Sequence, residues 1–210
     1  MRAECRERRG KRVAHGRRTA GAKGSVSPLW LGVLALFGCL FLSQSASFAA
    51  TAATATDPVK ALGLQAPEEV VEAPGFSLPD LTGKKIQLKE LRGKLVLLNF
   101  FATWCGPCRD EMPGMERLFR VHRDNGLVVV AVNVQESARA VRPFVQQLKL
   151  SFPTVLDVEA SVSREYGVRA LPVTFLIGRD GNILWRAMGG RDWESAPAQK
   201  YFAQRVGATK

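Results

Sequence analysis

The chain has 210 residues, of which 46% are hydrophobic and 23% are charged, a balance typical of a globular protein. Its formal net charge of +11 would indicate nucleic-acid binding only if the basic residues lay on the folded domain. Residues 1–28, however, carry nine Lys and Arg against two acidic residues, which leaves 21 basic and 17 acidic residues in the remaining 182. We therefore predict no nucleic-acid partner.

The N-terminal segment has the three-part pattern of an export signal. Basic residues 1–28 are followed by an apolar run over 29–42, and small and polar residues come next. This run is shorter than the roughly 20 residues that span a bilayer, so the segment 29–50 fits both a cleaved signal peptide and a retained membrane anchor. The pattern suits bacterial export better than an organelle transit peptide. Because basic flanks stay cytoplasmic, we predict a periplasmic or otherwise extracytoplasmic domain, either membrane-anchored or secreted after cleavage near Ala49.

The folded domain is predicted over 74–206, between an Ala/Thr-rich and then polar linker over 51–73 and a short tail over 207–210. Hydrophobic patterning and turn residues predict its elements in chain order. They are a hairpin over 76–88, a buried strand over 94–101, a helix over 107–124, a buried strand over 127–134, a helix over 138–148, a strand or extended segment over 152–156, a short helix over 161–166, a hairpin over 173–185 and a helix over 193–206. This order predicts an α/β, thioredoxin-like fold: a central mixed β-sheet flanked by helices on both faces, with an N-terminal β-hairpin extension.

The sequence Trp104-Cys105-Gly-Pro-Cys108 stands where a buried strand gives way to a helix. Cys105 is therefore expected at the helix N-terminus, where unpaired N–H groups and the helix dipole stabilise a thiolate. The thiolate is the nucleophile in disulfide exchange, and Cys108, one turn later, can close a disulfide with Cys105. The spacing predicts an attacking and a resolving thiol, which form a redox-active disulfide.

A Cys-x-x-Cys pair can also hold a structural zinc ion or form a purely structural disulfide. Cys5 and Cys39 belong to the N-terminal segment, so a structural zinc site, which needs four ligands, would find only His122 in the domain besides this pair. A purely structural disulfide is disfavoured, because so short a loop constrains little unfolded-state entropy. We predict no metal and no cofactor beyond the cysteines themselves.

Several further motifs match one family. They are Asn99-Phe-Phe-Ala-Thr-Trp-Cys105, Glu111-Met-Pro113, Val130-Ala-Val-Asn-Val134, Phe152-Pro-Thr-Val-Leu-Asp157 and Tyr166-Gly-Val-Arg-Ala-Leu-Pro-Val-Thr-Phe-Leu-Ile177. Together they resemble the TlpA/ResA/CcmG (DsbE-like) group of membrane-tethered, extracytoplasmic thioredoxin-like proteins, over about residues 74–206. The resemblance implies that Pro172 is a cis proline facing the cysteines. It also implies that Trp104, Leu171 and Pro172 bind the client protein.

Thioredoxins carry a buried Asp beneath the cysteines, and here that position is Asn99, which cannot accept a proton. Glu111 follows Cys108 by three residues, on the same helical face, and corresponds to an active-site Glu of ResA-like proteins. We predict that Glu111 handles the proton of the Cys108 thiol and that burial raises its pKa. The alternative is a solvated helix glutamate.

The predicted activity is that of a protein-disulfide oxidoreductase, acting as a reductase. The resemblance implies client protein disulfides in apocytochromes c or copper-site subunits, and a membrane electron donor of the CcdA or DsbD kind. A disulfide-forming oxidase is the alternative enzyme. A binding module for copper-site or cytochrome assembly, working without turnover, is the alternative of another class. A peroxidase fits least, since the Pro/Thr setting of a peroxidatic cysteine is absent before Cys105.

Overall fold

A computed structural model describes residues 57–207. The predicted export segment, the start of the predicted linker and the last three residues lie outside this range. The helices and strands, numbered in chain order, are α1 Pro58–Ala61, β1 Ser77–Pro79, β2 Lys85–Gln87, β3 Leu95–Phe101, α2 Gly106–His122, β4 Leu127–Val134, α3 Ala138–Gln147, β5 Thr154–Asp157, α4 Ser161–Glu165, β6 Val173–Ile177, β7 Ile183–Met188 and α5 Ala196–Gly207. None of the helices within 57–207 is long and apolar enough to cross a membrane.

The central sheet has five strands in the order β5-β4-β3-β6-β7. Strands β3, β4 and β5 run parallel, whereas β6 and β7 pair antiparallel, so the sheet is mixed as predicted. Every residue of β3 is buried, which explains its uninterrupted apolar run. Strands β1 and β2 form a separate two-stranded antiparallel sheet.

Two hydrophobic cores lie on opposite faces of the sheet. Leu97 and Phe101 of β3 belong to the core that also holds apolar residues of α2, α3 and α5. Leu98 and Phe100, which alternate with them, belong to the core that includes Val162 of α4. Successive side chains of a strand point to opposite faces, so this division places helices on both sides of the sheet. The predicted thioredoxin-like architecture is confirmed.

The closing helix begins later than the sequence pattern predicts. Helix α5 starts at Ala196 rather than at Trp193. The Asp192 carboxylate accepts the backbone N–H groups of Glu194 (2.9 Å) and Ser195 (3.1 Å), which closes a turn ahead of the helix. Trp193 therefore lies in the loop between β7 and α5, and its side chain contacts Glu111 of α2.

The linker prediction is wrong for residues 57–73, which pack against the domain. Leu62 and Leu64 are buried in the α2 side of the core. Gln65 and Arg186 of β7 exchange two backbone hydrogen bonds of 2.9 Å, and the N–H of Ile183 donates to the carbonyl of Val71. Strand β7 is at the edge of the sheet, and an uncovered edge would leave its backbone groups unpaired. Residues 57–73 are therefore ordered by their pairing with the edge of β7 and by the burial of Leu62 and Leu64, although their polar composition indicates a linker.

We expect Leu64→Ala to lower the free energy of unfolding by about 2 kcal/mol, the usual cost of truncating a buried leucine. The measurement is denaturant-induced unfolding of the purified protein. Val70→Ala is the matched control, because Val70 lies in the same segment and is 83% exposed. Equal unfolding midpoints for the two variants would show that residues 57–73 do not pack on the domain.

Candidate active site

The cysteine pair occupies the start of α2, at the end of the sheet where β3 finishes. Cys105 is the N-cap residue of α2, and its Sγ accepts the backbone N–H of Cys108 at 3.2 Å. The two sulfurs are bonded, with the Cα atoms 5.3 Å apart. Cys105 is 5% exposed and Cys108 is fully buried. Cys105 is therefore the sulfur that a client disulfide can reach, and Cys108 is the internal partner.

The loop before Cys105 is held by a carboxylate that the sequence analysis did not single out. Glu136 accepts the backbone N–H of Thr103 at 2.7 Å and its hydroxyl at 2.5 Å. Asn133, near the end of β4, donates its side-chain amide to the same carboxylate at 2.7 Å. These bonds fix the loop that presents Trp104, which is 75% exposed next to Cys105. Glu136 follows β4 and Thr103 follows β3, and the pairing of these two strands brings the residues together. No local sequence pattern indicates this contact.

The Leu171–Pro172 peptide bond is cis, as the family resemblance predicts. Pro172 directly precedes Val173, which pairs with Phe100 near the end of β3, so this proline lies at the same end of the sheet as the cysteines. Pro172 is buried, Leu171 is half-buried, and the Pro172 carbonyl accepts the N–H of Gly189 at 2.8 Å. The three residues predicted to bind the client are thus grouped at one end of the sheet, and their role in binding stays a prediction.

Glu111 is buried, with 4% of its surface exposed, so it is not a solvated helix glutamate. Its Oε1 accepts the side-chain amide of Asn99 at 2.8 Å. Its Oε2 accepts the backbone N–H of Arg191 at 3.0 Å and the indole N–H of Trp193 at 3.1 Å. Burial raises the pKa of Glu111 to about 7, although these donors favour the ionised form. A carboxylate one turn after Cys108 with a pKa near neutrality is suited to take and return a proton.

Asn99 is a buried residue of β3 that can respond to the protonation state of Glu111. Its amide nitrogen donates both to Glu111 and to the Thr174 hydroxyl, at 2.9 Å, on β6. Its Oδ1 is buried and has no hydrogen-bond partner among the described residues. An amide presents a donor on one side and an acceptor on the other, so a rotated Asn99 can accept a hydrogen bond from the O–H of the neutral acid.

His122 is buried near the C-terminal end of α2. Cys108 lies fourteen residues before it on the same helix, which corresponds to about 21 Å along the axis. His122 therefore cannot complete a metal site with the cysteines. No group of three or more possible metal ligands occurs among residues 57–207.

A Cys-x-x-Cys pair at a helix N-terminus, on a thioredoxin fold with a cis proline beside it, defines the class of thiol–disulfide oxidoreductases. Residues 71–186 match the AhpC/TSA family, and the chain belongs to that family. The resemblance to the TlpA/ResA/CcmG group is confirmed by its relatives, and the chain is a thiol–disulfide oxidoreductase that exchanges disulfides through Cys105 and Cys108.

Two of these relatives are thiol–disulfide oxidoreductases named ResA. The protein of Bacillus thuringiensis subsp. konkukian is 43% identical over 118 residues, which are 56% of this chain and 68% of that protein. The Bacillus subtilis protein is 43% identical over 122 residues, 58% of this chain and 68% of that protein.

Solved structures show the same similarity. A Chlorobium tepidum thiol:disulfide interchange protein, assigned as DsbE, superposes with a TM-score of 0.62 at 32% identity, covering 67% of this chain and 99% of that one. StoA from Bacillus subtilis gives a TM-score of 0.53 at 25% identity, covering 62% and 96%.

Proposed function

We propose that the protein reduces protein disulfides outside the cytoplasm, and the buried Glu111, one helical turn after Cys108 in α2, is the observation that carries this direction. A thiol pair becomes strongly oxidising when its reduced, thiolate form is stabilised. A carboxylate one turn from the pair has the opposite effect, because like charges disfavour each other in a buried setting. The pair therefore holds its electrons weakly and passes them to a client.

In the proposed reaction the Cys105 thiolate attacks one sulfur of the client disulfide. A mixed disulfide forms between Cys105 and the client, and the other client sulfur leaves as a thiolate that takes up a proton. Glu111 accepts the proton of the Cys108 thiol, and the Cys108 thiolate attacks Cys105. The client's second sulfur leaves as a thiolate and receives a proton. The client gains two electrons and two protons, and the Cys105–Cys108 disulfide results.

The client site proposed for this reaction consists of Trp104, Leu171 and Pro172 around Cys105. The exposed indole offers apolar contact, and the backbone beside the proline can pair with an extended segment. The clients we propose are cysteine pairs of apocytochromes c, or copper-site cysteines, in an assembly pathway. Re-reduction then requires a membrane electron donor of the CcdA or DsbD kind.

Extracytoplasmic location, by a signal peptide or an anchor over 29–50, is part of the same proposal. It is supported by the basic and apolar pattern of the N-terminal segment. The test is cell fractionation combined with the intact mass of the purified protein. Recovery of the full-length chain in the cytoplasm would contradict it, whereas a membrane-bound full chain or a shortened periplasmic chain would support it.

The direction of electron flow is tested by the reduction potential of the cysteine pair. The purified protein is equilibrated with dithiothreitol and glutathione buffers, and the oxidised fraction is measured by thiol alkylation. We expect a value closer to thioredoxin, at about −270 mV, than to the oxidant DsbA, at about −120 mV. The shared Cys-Gly-Pro-Cys sequence supports this expectation. A value near that of DsbA would make the protein a disulfide donor instead.

A further inference from the structure

The loop from Gly189 to Trp193, between β7 and α5, carries no cysteine, yet it contacts Glu111. Both hydrogen bonds to Oε2 of Glu111 come from this loop, one from the Arg191 backbone and one from the Trp193 indole. The other oxygen, Oε1, is bound by Asn99 from the sheet. The carboxylate is therefore hydrogen-bonded by the central sheet on one side and by the loop on the other.

The indole of Trp193 is fixed by its surroundings. Trp193 is fully buried and stacks on Trp185, with ring centroids 6.1 Å apart and planes 15° from parallel. Phe202 of α5 packs edge-on against the same ring at 6.3 Å. The Trp193 carbonyl accepts the side-chain amide of Gln199 at 2.9 Å. Because Trp185 and Phe202 pack against the Trp193 ring, its orientation is fixed, and its N–H points toward Glu111.

The loop also lies directly against α2. A Cβ atom placed on Gly190 would stand 3.3 Å from the carbonyl oxygen of Pro107, in the Cys-Gly-Pro-Cys turn. A Cβ placed on Gly114 would stand 3.5 Å from the Cβ of Trp193. The approach at Gly190 is tighter than most Cβ atoms tolerate, whereas a Cβ at Gly114 would make ordinary van der Waals contact. The loop therefore packs directly on the helix that carries Glu111, most closely at Gly190.

We propose that Trp193 is a positioning residue for Glu111, whose indole N–H orients the carboxylate beside Cys108 and sets how readily it takes a proton. This inference rests on the proton-transfer role of Glu111 given under the proposed function. A hydrogen bond to an ionised carboxylate is stronger than one to the neutral acid, so the donor favours the ionised form. Trp193 thereby keeps Glu111 available as a base at neutral pH, against the burial that raises its pKa.

Other charged and titratable groups lie near this carboxylate, and the variants of the test leave all of these residues in place. Cys105 and Cys108 lie at the start of the same helix, and the Arg191 guanidinium lowers the pKa of Glu111. Asp110, Asp192 and Glu194 line the cavity of about 410 Å³ that borders Glu111. In the oxidised protein the cysteines do not titrate, so they do not interfere when Glu111 is followed.

The test is Trp193→Phe in the full chain, which keeps an aromatic ring but removes the N–H. The Glu111 carboxyl is titrated by carbon-13 NMR in the oxidised protein. We expect its titration midpoint to rise by about one pH unit from about 7. The rate of mixed-disulfide resolution at pH 7 should then fall about fivefold and recover above about pH 9, once Glu111 is ionised again. A merely structural defect would not recover with pH.

Trp185→Phe is the matched control. Trp185 belongs to the same aromatic cluster, but its indole N–H donates to the Tyr201 hydroxyl at 2.9 Å rather than to Glu111. It should lower stability without moving the Glu111 midpoint. If Trp193→Phe does not fold, 3-benzothienylalanine at position 193, which replaces the N–H by sulfur in a ring of the same shape, serves in its place.

Glu111→Gln distinguishes failure of this inference from failure of the proposed function. If that variant resolves the mixed disulfide with the wild-type rate and pH profile, the proton-transfer role of Glu111 is wrong. If it removes the pH dependence near neutrality while loss of the Trp193 N–H leaves the Glu111 midpoint unchanged, only the positioning role of Trp193 is overturned.

Discussion

Replacement of Cys105 by serine is expected to abolish disulfide exchange, leaving the background rate of the uncatalysed reaction. Cys105 is the more accessible of the two cysteines and caps the N-terminus of α2, and a hydroxyl there is neither ionised at neutral pH nor able to form a disulfide. The measurement is the reduction of insulin disulfides by the purified variant in the presence of dithiothreitol. Residual turnover with Cys108 as the remaining thiol of the Cys-Gly-Pro-Cys motif would show that the buried sulfur reaches clients directly.

Cys108→Ser is the matched variant, and it has a different outcome. The first attack should still occur, but the resolving thiol one turn from Cys105 is missing, so the client should remain covalently bound to Cys105. Non-reducing electrophoresis and mass spectrometry of the trapped species, from cells that express this variant, identify the bound proteins. Trapped cytochrome or copper-site subunits would support the proposed pathway, and trapped proteins of other kinds alone would contradict it.

Glu111→Gln is expected to slow resolution of the mixed disulfide by about 10²-fold, the usual contribution of a general base. The amide has nearly the same shape, and it fits the site because Asn99 can present its unpaired Oδ1 to the new NH₂ group. The effect should be confined to the resolving step, since the first attack uses Cys105. The measurement is single-turnover kinetics, in which formation and decay of the mixed disulfide are followed separately.

The same variant is expected to stabilise the oxidised protein at alkaline pH. The folded-state pKa of Glu111 is about 7, above its unfolded value of 4.5, because burial disfavours the charge. The native state therefore binds more protons between these values, and wild-type stability falls as pH rises through this window. Removing the charge should raise the free energy of unfolding above pH 8 by about 3 kcal/mol relative to the wild type. Denaturant unfolding at pH 4 and pH 8 measures this difference.

Glu116→Gln is the control for both measurements, because it changes a second buried glutamate of α2. Desolvation raises the pKa of Glu116, but hydrogen bonds from Ser151 and Arg120 outweigh it and lower the pKa overall. Its stability contribution is therefore present above the unfolded pKa and lost as pH falls, so this variant should be less stable at neutral pH. Exchange kinetics should be unchanged. Equal effects of the two variants on resolution would remove the special role of Glu111.

The sequence by itself determined the sheet, the helices and the position of the cysteine pair. The apolar runs of β3 and β4 have to be covered on both faces, and a Cys at a strand-to-helix boundary becomes an N-cap through local backbone geometry alone. The burial of Glu111 followed from its spacing of three residues from Cys108, since both lie on one helical face. Each of these features depends on neighbours a few residues apart, which a sequence pattern records directly.

Only the tertiary structure decided what surrounds Glu111 and what covers the edge of the sheet. Trp193 follows Glu111 by 82 residues, and its N–H reaches the carboxylate because the turn at Asp192 delays α5. Leu62 is held by the Arg191 guanidinium, which donates to its carbonyl at 2.7 Å across 129 residues. Such contacts depend on strand register and on the path of the loops. Many residues that are distant in the sequence contribute to the folding free energy that favours this arrangement. No local pattern encodes them, so the acid could be predicted from the sequence but the residues that hold it could not.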